Sequence, residues 1–257
     1  MIGWPVTGLD LSVLYGGKAS AAGTGGNTVM ALRQAVAGQA RGIAETAKQP
    51  EVQRDIAAFR KAVATAADPK ALLADPTARR VLLTASGLGD QAGYAALATK
   101  ALLSDPADSK SLASTLADTR WKSAASTLGF ATGGLATLRD PKVLDTMANA
   151  YAEIAWRKSL DAATPGLSDA LTFRATAATA RNVDDVLGNA TLRKVVTGAL
   201  GIPQEIAIQP LDTQERAVSS KLDVARLQDP KYVDQLAQRY LLAQATQASQ
   251  SEQGLLI

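Results

Sequence analysis

The sequence predicts an all-α fold made of a duplicated multi-helix unit forming a compact or elongated helical domain, and three observations predict it. The thirty residues from Phe59 to Leu88 recur without a gap from Phe173 to Ile202, at an offset of 114 residues. Eleven of these positions are identical, among them Phe59/Phe173, Arg79/Arg193 and Gly87/Gly201. Others keep their chemistry, as in Arg80/Lys194, Asp68/Asn182 and Asp75/Asn189. The chain is 47% hydrophobic but only 4% aromatic, so alanine and leucine supply most of its apolar surface, a balance that suits close-packed helices better than sheets. Finally, Asp-Pro occurs at 68–69, 75–76, 105–106, 140–141 and 229–230. Proline pushes its predecessor out of helical angles and tolerates the first helical position, while the aspartate accepts from free amides, so each pair is expected to start a helix.

Taken in order, residues 1–26 are rich in Gly, Ser, Thr and Ala and read as a flexible arm, with Trp4 and Tyr15 as its large aromatics. Asn27 is the expected cap of a helix running to about Lys48, and Pro50 opens another, in which Val52, Ile56, Phe59 and Val63 share a face. Short helices are expected near 69–74, 76–86, 90–103, 109–116 and 118–128, closed by Gly87 and Gly129. A long helix follows from 141 to 162, with Leu144, Met147, Tyr151 and Ile154 in one stripe and Trp156 off it. The second unit repeats the logic with helices near 168–181, 183–188 and 190–200, a looser GIPQEIAIQPLD, and a helix from Thr213 to Leu222. Its final LQDPKYV matches the LADTRW of the first half by residue type. The expected organisation is an arm (1–26), a first unit (27–135), a second unit (136–247) and a flexible polar tail (248–257).

Cysteine and histidine are both absent, which removes disulfides, thiolate nucleophiles, Cys/His zinc sites and imidazole catalysis together. A cysteine-free chain is indifferent to redox conditions, so its compartment stays open. The net charge of +3 comes from interleaved charges without a basic stripe, which argues against nucleic acid as a partner. No segment approaches membrane-spanning length, and the N-terminus lacks the basic start and apolar core of a secretory signal.

Candidate chemistry is sparse. Gly16-Gly17-Lys18 has neither the glycine spacing nor the preceding strand of a phosphate loop. The stretch from Asp105 to Leu116 has calcium-like Asp spacing but lacks the central glycine and closing acid, and reads as helix-start chemistry. Asp184 and Asp185 are adjacent and diverge on a helix. Arg79-Arg80 and Arg193-Lys194 recur at equivalent places and, with Trp4 and Tyr15, are candidates for binding a protein partner. No catalytic residue, cofactor or metal site is expected.

The motifs GLGDQAGYAALATKALLSDP, SDPADSKSLASTLADTRW, ALGIPQEIA and LQDPKYVDQLAQRY resemble, in that order along the chain, a bacterial domain family of unknown function often encoded in flagellar gene clusters. The resemblance covers about Lys48 to Leu242, with Thr119 where the pattern leads one to expect proline and Trp121 where it has tyrosine. It implies a non-enzymatic helical protein of flagellar assembly, export or structure, with flagellar proteins as partners, in the flagellum or the cytoplasm. Two alternatives stand beside it: an enzyme or small-molecule binder using Asp, Lys or Arg in an inter-repeat groove, and a cytoplasmic regulator or chaperone of flagellar proteins.

Overall fold

The computed structural model of the chain describes residues 21–254, which are helical with no strand among them. The segment carrying Trp4, Tyr15 and Gly16-Gly17-Lys18 lies outside the described residues. Helix α1 spans Ala21–Ala47, so residues 21–26, expected in the arm, are helical, and Asn27 lies inside the helix instead of capping it. Glycine lowers helix propensity by about 1 kcal/mol per residue, but a helix already nucleated and packed propagates through such positions. Packing is what α1 has: Leu32 and Ala35 are buried against Trp156 and the second core, and Ile43 and Ala47 reach the first.

The first half comprises α2 (Pro50–Thr65), α3 (Pro69–Ala74), α4 (Pro76–Ala85), a short 3-10 turn (Gly89–Gln91), α5 (Ala95–Leu102), α6 (Leu112–Thr115), α7 (Arg120–Leu128), α8 (Phe130–Gly133), α9 (Ala136–Arg139) and α10 (Pro141–Leu160). The second comprises α11 (Leu167–Thr176) with a 3-10 extension (Ala177–Thr179), α12 (Val183–Leu187), α13 (Ala190–Ala199), a 3-10 turn (Gln204–Ile208), α14 (Leu211–Ser219), another 3-10 turn (Val224–Gln228) and α15 (Pro230–Gly254). Residues 248–254, expected in a flexible tail, continue α15.

Local chemistry repeats with the helices. Asp68 and Asp75 accept from Ala71 N at 2.7 Å and Ala78 N at 2.8 Å, and Asn182 accepts from Asp185 N at 2.8 Å. Asn189, whose sequence context also fits a glycosylation site, caps α13 through Thr191 N and Leu192 N. Asp140 and Asp229 cap α10 and α15 through Lys142 N and Lys231 N. Asp105-Pro106 departs from the expectation: Asp105 accepts from Ala107 N in a turn, and Ser111 caps the next helix. Gly87 (φ 76°) and Gly201 (φ 60°) let the chain leave α4 and α13 by the same left-handed turn, in which Leu88 N reaches Leu83 O and Ile202 N reaches Thr197 O.

Two cores result. Phe59, Leu72, Leu73 and Val81 fill the first; Phe173, Val186, Leu187 and Val195 fill the second. Both phenylalanines are fully buried. The packing runs across the expected boundary between 135 and 136. Met147, Tyr151 and Ala152 of α10 close the first core, while Trp156, one turn further on, belongs to the second. Likewise α1, assigned by sequence to the first unit, lies against both.

Helix α15 plays in the second half the part of α10 in the first. Arg60 on α2 bonds Asp145 of α10 at 2.6 Å, and Arg174 on α11 bonds Asp234 of α15. The sequence supports this pairing: Asp140, Pro141, Lys142, Asp145, Ala148 and Tyr151 recur 89 residues later as Asp229, Pro230, Lys231, Asp234, Ala237 and Tyr240. The match of LQDPKYV to LADTRW is therefore corrected, because bonding partners align α15 with α10 and not with α7. The first half carries 25 more residues between its matching parts, since the offset falls from 114 to 89.

Candidate functional site

The residues singled out by the repeat form two equivalent polar clusters. Arg80 on α4 grips Asp55 on α2 at two points, Nη1 to Oδ2 at 2.8 Å and Nη2 to Oδ1 at 2.7 Å. Tyr151 donates its hydroxyl to the same carboxylate and accepts from Arg80 Nη1 at 2.8 Å. In the second half, Asp169 Oδ2 accepts from Lys194 Nζ at 2.6 Å and from the Tyr240 hydroxyl at 3.0 Å. Acid and base stand 25 residues apart in both clusters, joining the first and third helices of each half.

In the first cluster pairing favours an ionised Asp55, and burial with pairing favours a protonated Tyr151. The Arg80 bonds hold the Asp55 carboxyl below the usual carboxylate range, prevailing over its partial burial. Burial and the bond to Asp55 push Tyr151 up to about 12, and burial with the nearby Asp169 charge raises Tyr240. In the first cluster, an acid held ionised beside a phenol held protonated is a poor base and a poor acid. Arg79 and Arg193 are also engaged within the fold, through Nη1 to Leu73 O at 2.7 Å and to Leu187 O at 3.0 Å. The four cations singled out as candidates for partner binding are thus bonded inside the chain, while the side chains of Arg80 and Lys194 stay about half exposed.

A joint connects the halves. Thr119 N donates to Gly188 O at 2.9 Å, so the threonine found where proline was expected supplies an N–H that proline lacks. A Cβ on Gly188 would lie 2.7 Å from Thr119 Cγ2, so only glycine permits this approach without a shift. Next to it, Arg120 bonds Asp118 at 2.7 Å, Asp90 at 2.9 Å and Gly87 O at 2.6 Å. Burial works against the Arg120 charge, but the bonds from Asp118 and Asp90 prevail and raise its pKa.

Three hollows are the remaining candidates. The first lies in the joint, holds about 260 Å³, and brings Thr84, Asp90 and Lys158 of the first half to Ser168, Asp169 and Lys194 of the second. The second, about 540 Å³, also lies between the halves and is hydroxyl-rich, with Ser123, Ser126, Thr176 and Thr179. The largest, about 740 Å³, lies on the second half between α13, the segment 201–207 and the end part of α15, and is mainly apolar. Ile208 and Leu211, exposed to 85% and 56%, follow that segment in the chain. Among the described residues no group of three acidic side chains gathers where a metal ion could be held.

Sequence reasoning named the bases of the two clusters but missed their acids and tyrosines as partners. Two signals could have found them: the recurrent 25-residue spacing of opposite charges, and the second repeat at 89 that matches Tyr151 to Tyr240.

The family model described as "Protein of unknown function (DUF1217)" matches residues 85–233. The crystal structure of a protein from Agrobacterium tumefaciens resembles this chain with a TM-score of 0.73 at 24% identity, over 84% of this chain and 92% of that one. That likeness concerns the fold alone. No curated protein matches the chain.

Proposed function

We propose a non-enzymatic, protein-binding structural role for this chain, which belongs to the DUF1217 family of proteins of unknown function, and we assign that role to the assembly, export or structure of the bacterial flagellum. The flagellar part rests on the resemblance of its ordered motifs to a family encoded in flagellar gene clusters. The non-enzymatic part rests on one observation: the acids and bases that recur in both halves are paired with each other, in a chain that has no histidine or cysteine. Side chains held that way fix helices instead of meeting a substrate. An in-frame deletion in the source bacterium tests the reading. Loss of swimming, restored by the intact gene, is the expected result; normal motility with normal filaments contradicts it.

A second reading, small-molecule binding in the joint, is favoured by Lys158. It lines the 260 Å³ hollow, and its ammonium group has no ion-pair or hydrogen-bond partner among the described residues. Its most suitable ligand is a small monocarboxylate, since Asp90 and Asp169 would repel a more highly charged anion. Lys158→Met should then abolish any saturable thermal shift produced by propionate.

A further inference from the structure

The hollow in the joint and the large groove on the second half are the same place in the two halves. Thr84, Gly87, Gly89, Ile154 and Lys158 line the joint from the first half. At offsets of 114 and 89 their counterparts are Gly198, Gly201, Pro203, Ala243 and Gln247, and all five line the large groove. In the first half this place is filled by the second half, which inserts Ser168, Asp169, Thr172, Thr191 and Lys194 and leaves only about 260 Å³. In the second half no other described residue fills the same place, which holds about 740 Å³.

The inserting face has a counterpart too. Ser168, Thr172 and Ala190 are half-buried by the joint, whereas their equivalents Arg54, Ala58 and Pro76 on the first half are exposed. Among the described residues, therefore, the second half carries an unfilled groove and the first half an exposed copy of the face that fills such a groove. We infer that the groove on the second half receives the α2/α4 face of a second copy of this chain, so that molecules add head to tail.

The groove between chains lacks a counterpart of the Thr119 segment, which falls in the part of the first half with 25 additional residues, and presents apolar Ile202, Pro203 and Ile206. Apolar contact takes the place of that backbone bond. A contact between unlike faces continues in an open chain unless its rotation closes a ring. The inference rests on the internal correspondence and not on the flagellar reading.

Sedimentation equilibrium on the full chain, from micromolar to millimolar, tests it. The average mass should climb past two chains with concentration. Ala58→Arg, at an exposed position of the inserting face, and Ala243→Arg, in the groove, should each hold the protein monomeric. Mixed together, these two variants should stop at a dimer, because each retains one intact face. Gln204→Arg, at an exposed groove position, replaces Ala243→Arg if that variant does not fold. A chain that stays monomeric throughout overturns the inference. A dimer indifferent to both substitutions overturns it equally.

Discussion

The halves 50–160 and 167–254 solve one packing problem with different side chains. Where the first caps α3 and α4 with Asp68 and Asp75 before proline, the second caps α12 and α13 with Asn182 and Asn189 and no proline. Where the first holds its acid with a two-point arginine, the second uses a single-point lysine. A tyrosine from the closing helix completes both clusters, although the first half reaches that helix only after α5 to α9 and the second after α14 alone. What persists is the set of contacts between the first, third and closing helices; what varies is the donor that makes each one. Such tolerance is characteristic of side chains that hold a fold, since a reacting centre requires its groups within a few tenths of an ångström.

The strongest way to break the equivalence is at its centre. Phe59→Ala and Phe173→Ala should each lower unfolding free energy by about 3 to 5 kcal/mol in urea melts, because each empties a fully buried ring site. A large cost at one and almost none at the other would show that only one half has a core of its own.

Glycine substitutions sharpen the contrast. Gly188 corresponds to Ala74, and Gly198 to Thr84, so the first half tolerates a side chain at both places. In the second half a Cβ at Gly188 meets Thr119 Cγ2 at 2.7 Å and two carbonyl oxygens at 3.0 Å, and one at Gly198 meets Tyr240 Cδ2 at 2.8 Å. Gly188→Ala and Gly198→Ala should therefore each cost about 1 to 3 kcal/mol by the same melts, as overpacking does.

The caps should agree in size despite their different chemistry. Asp75→Ala and Asn189→Ala should each cost about 0.5 to 2 kcal/mol, read as a fall in urea midpoint. A much smaller effect at Asn189 would mean that proline and aspartate together, and not the side-chain acceptor, define the helix start.

The smallest effects separate by pH. The Asp55 carboxyl is held down by Arg80, so its contribution is fully present above the unfolded carboxylate value of about 4 and is lost as pH falls through the lower folded value. Asp55→Asn should thus destabilise at neutral pH, with the gap to wild type closing in acid. Asp161 is the opposite case. Burial raises its carboxyl, although Ser168 N donates to it at 2.8 Å, so its charge burdens the folded state until protonation relieves it. Asp161→Asn keeps that acceptor and should raise the melting temperature at neutral pH, a gain that fades as pH falls through the folded value.

These particulars show what was legible in the sequence. Caps are local: a side chain accepts from an amide two or three residues on, so Asp68, Asp75, Asp140 and Asp229 could be read directly. The buried phenylalanines and the left-handed Gly87 and Gly201 followed from periodicity and helix termination. The start of α1 did not, because burial of Leu32 and Ala35 on a distant core sustains a helix that its first residues do not favour. Neither did the role of α10, which serves two cores from one continuous surface. Asp105-Pro106 failed as a helix start because proline at the second position permits a turn equally well. The polar clusters join residues 25, 71 and 96 apart, and no local spacing encodes such contacts. The 25-residue charge spacing shared by both copies, together with the second self-alignment at 89, would have shown them.

The reciprocal exchange Arg80→Lys and Lys194→Arg, followed by urea melts and by swimming assays in a complemented deletion strain, measures the central claim directly. If the repeated charges hold the fold, Arg80→Lys loses one point of a two-point grip and costs about 1 kcal/mol. By the same reasoning Lys194→Arg can gain a second point on Asp169 and should stabilise by about 0.5 kcal/mol. Swimming should persist in both. Unchanged melts with swimming abolished would contradict the account and mark these cations as the partner-binding surface.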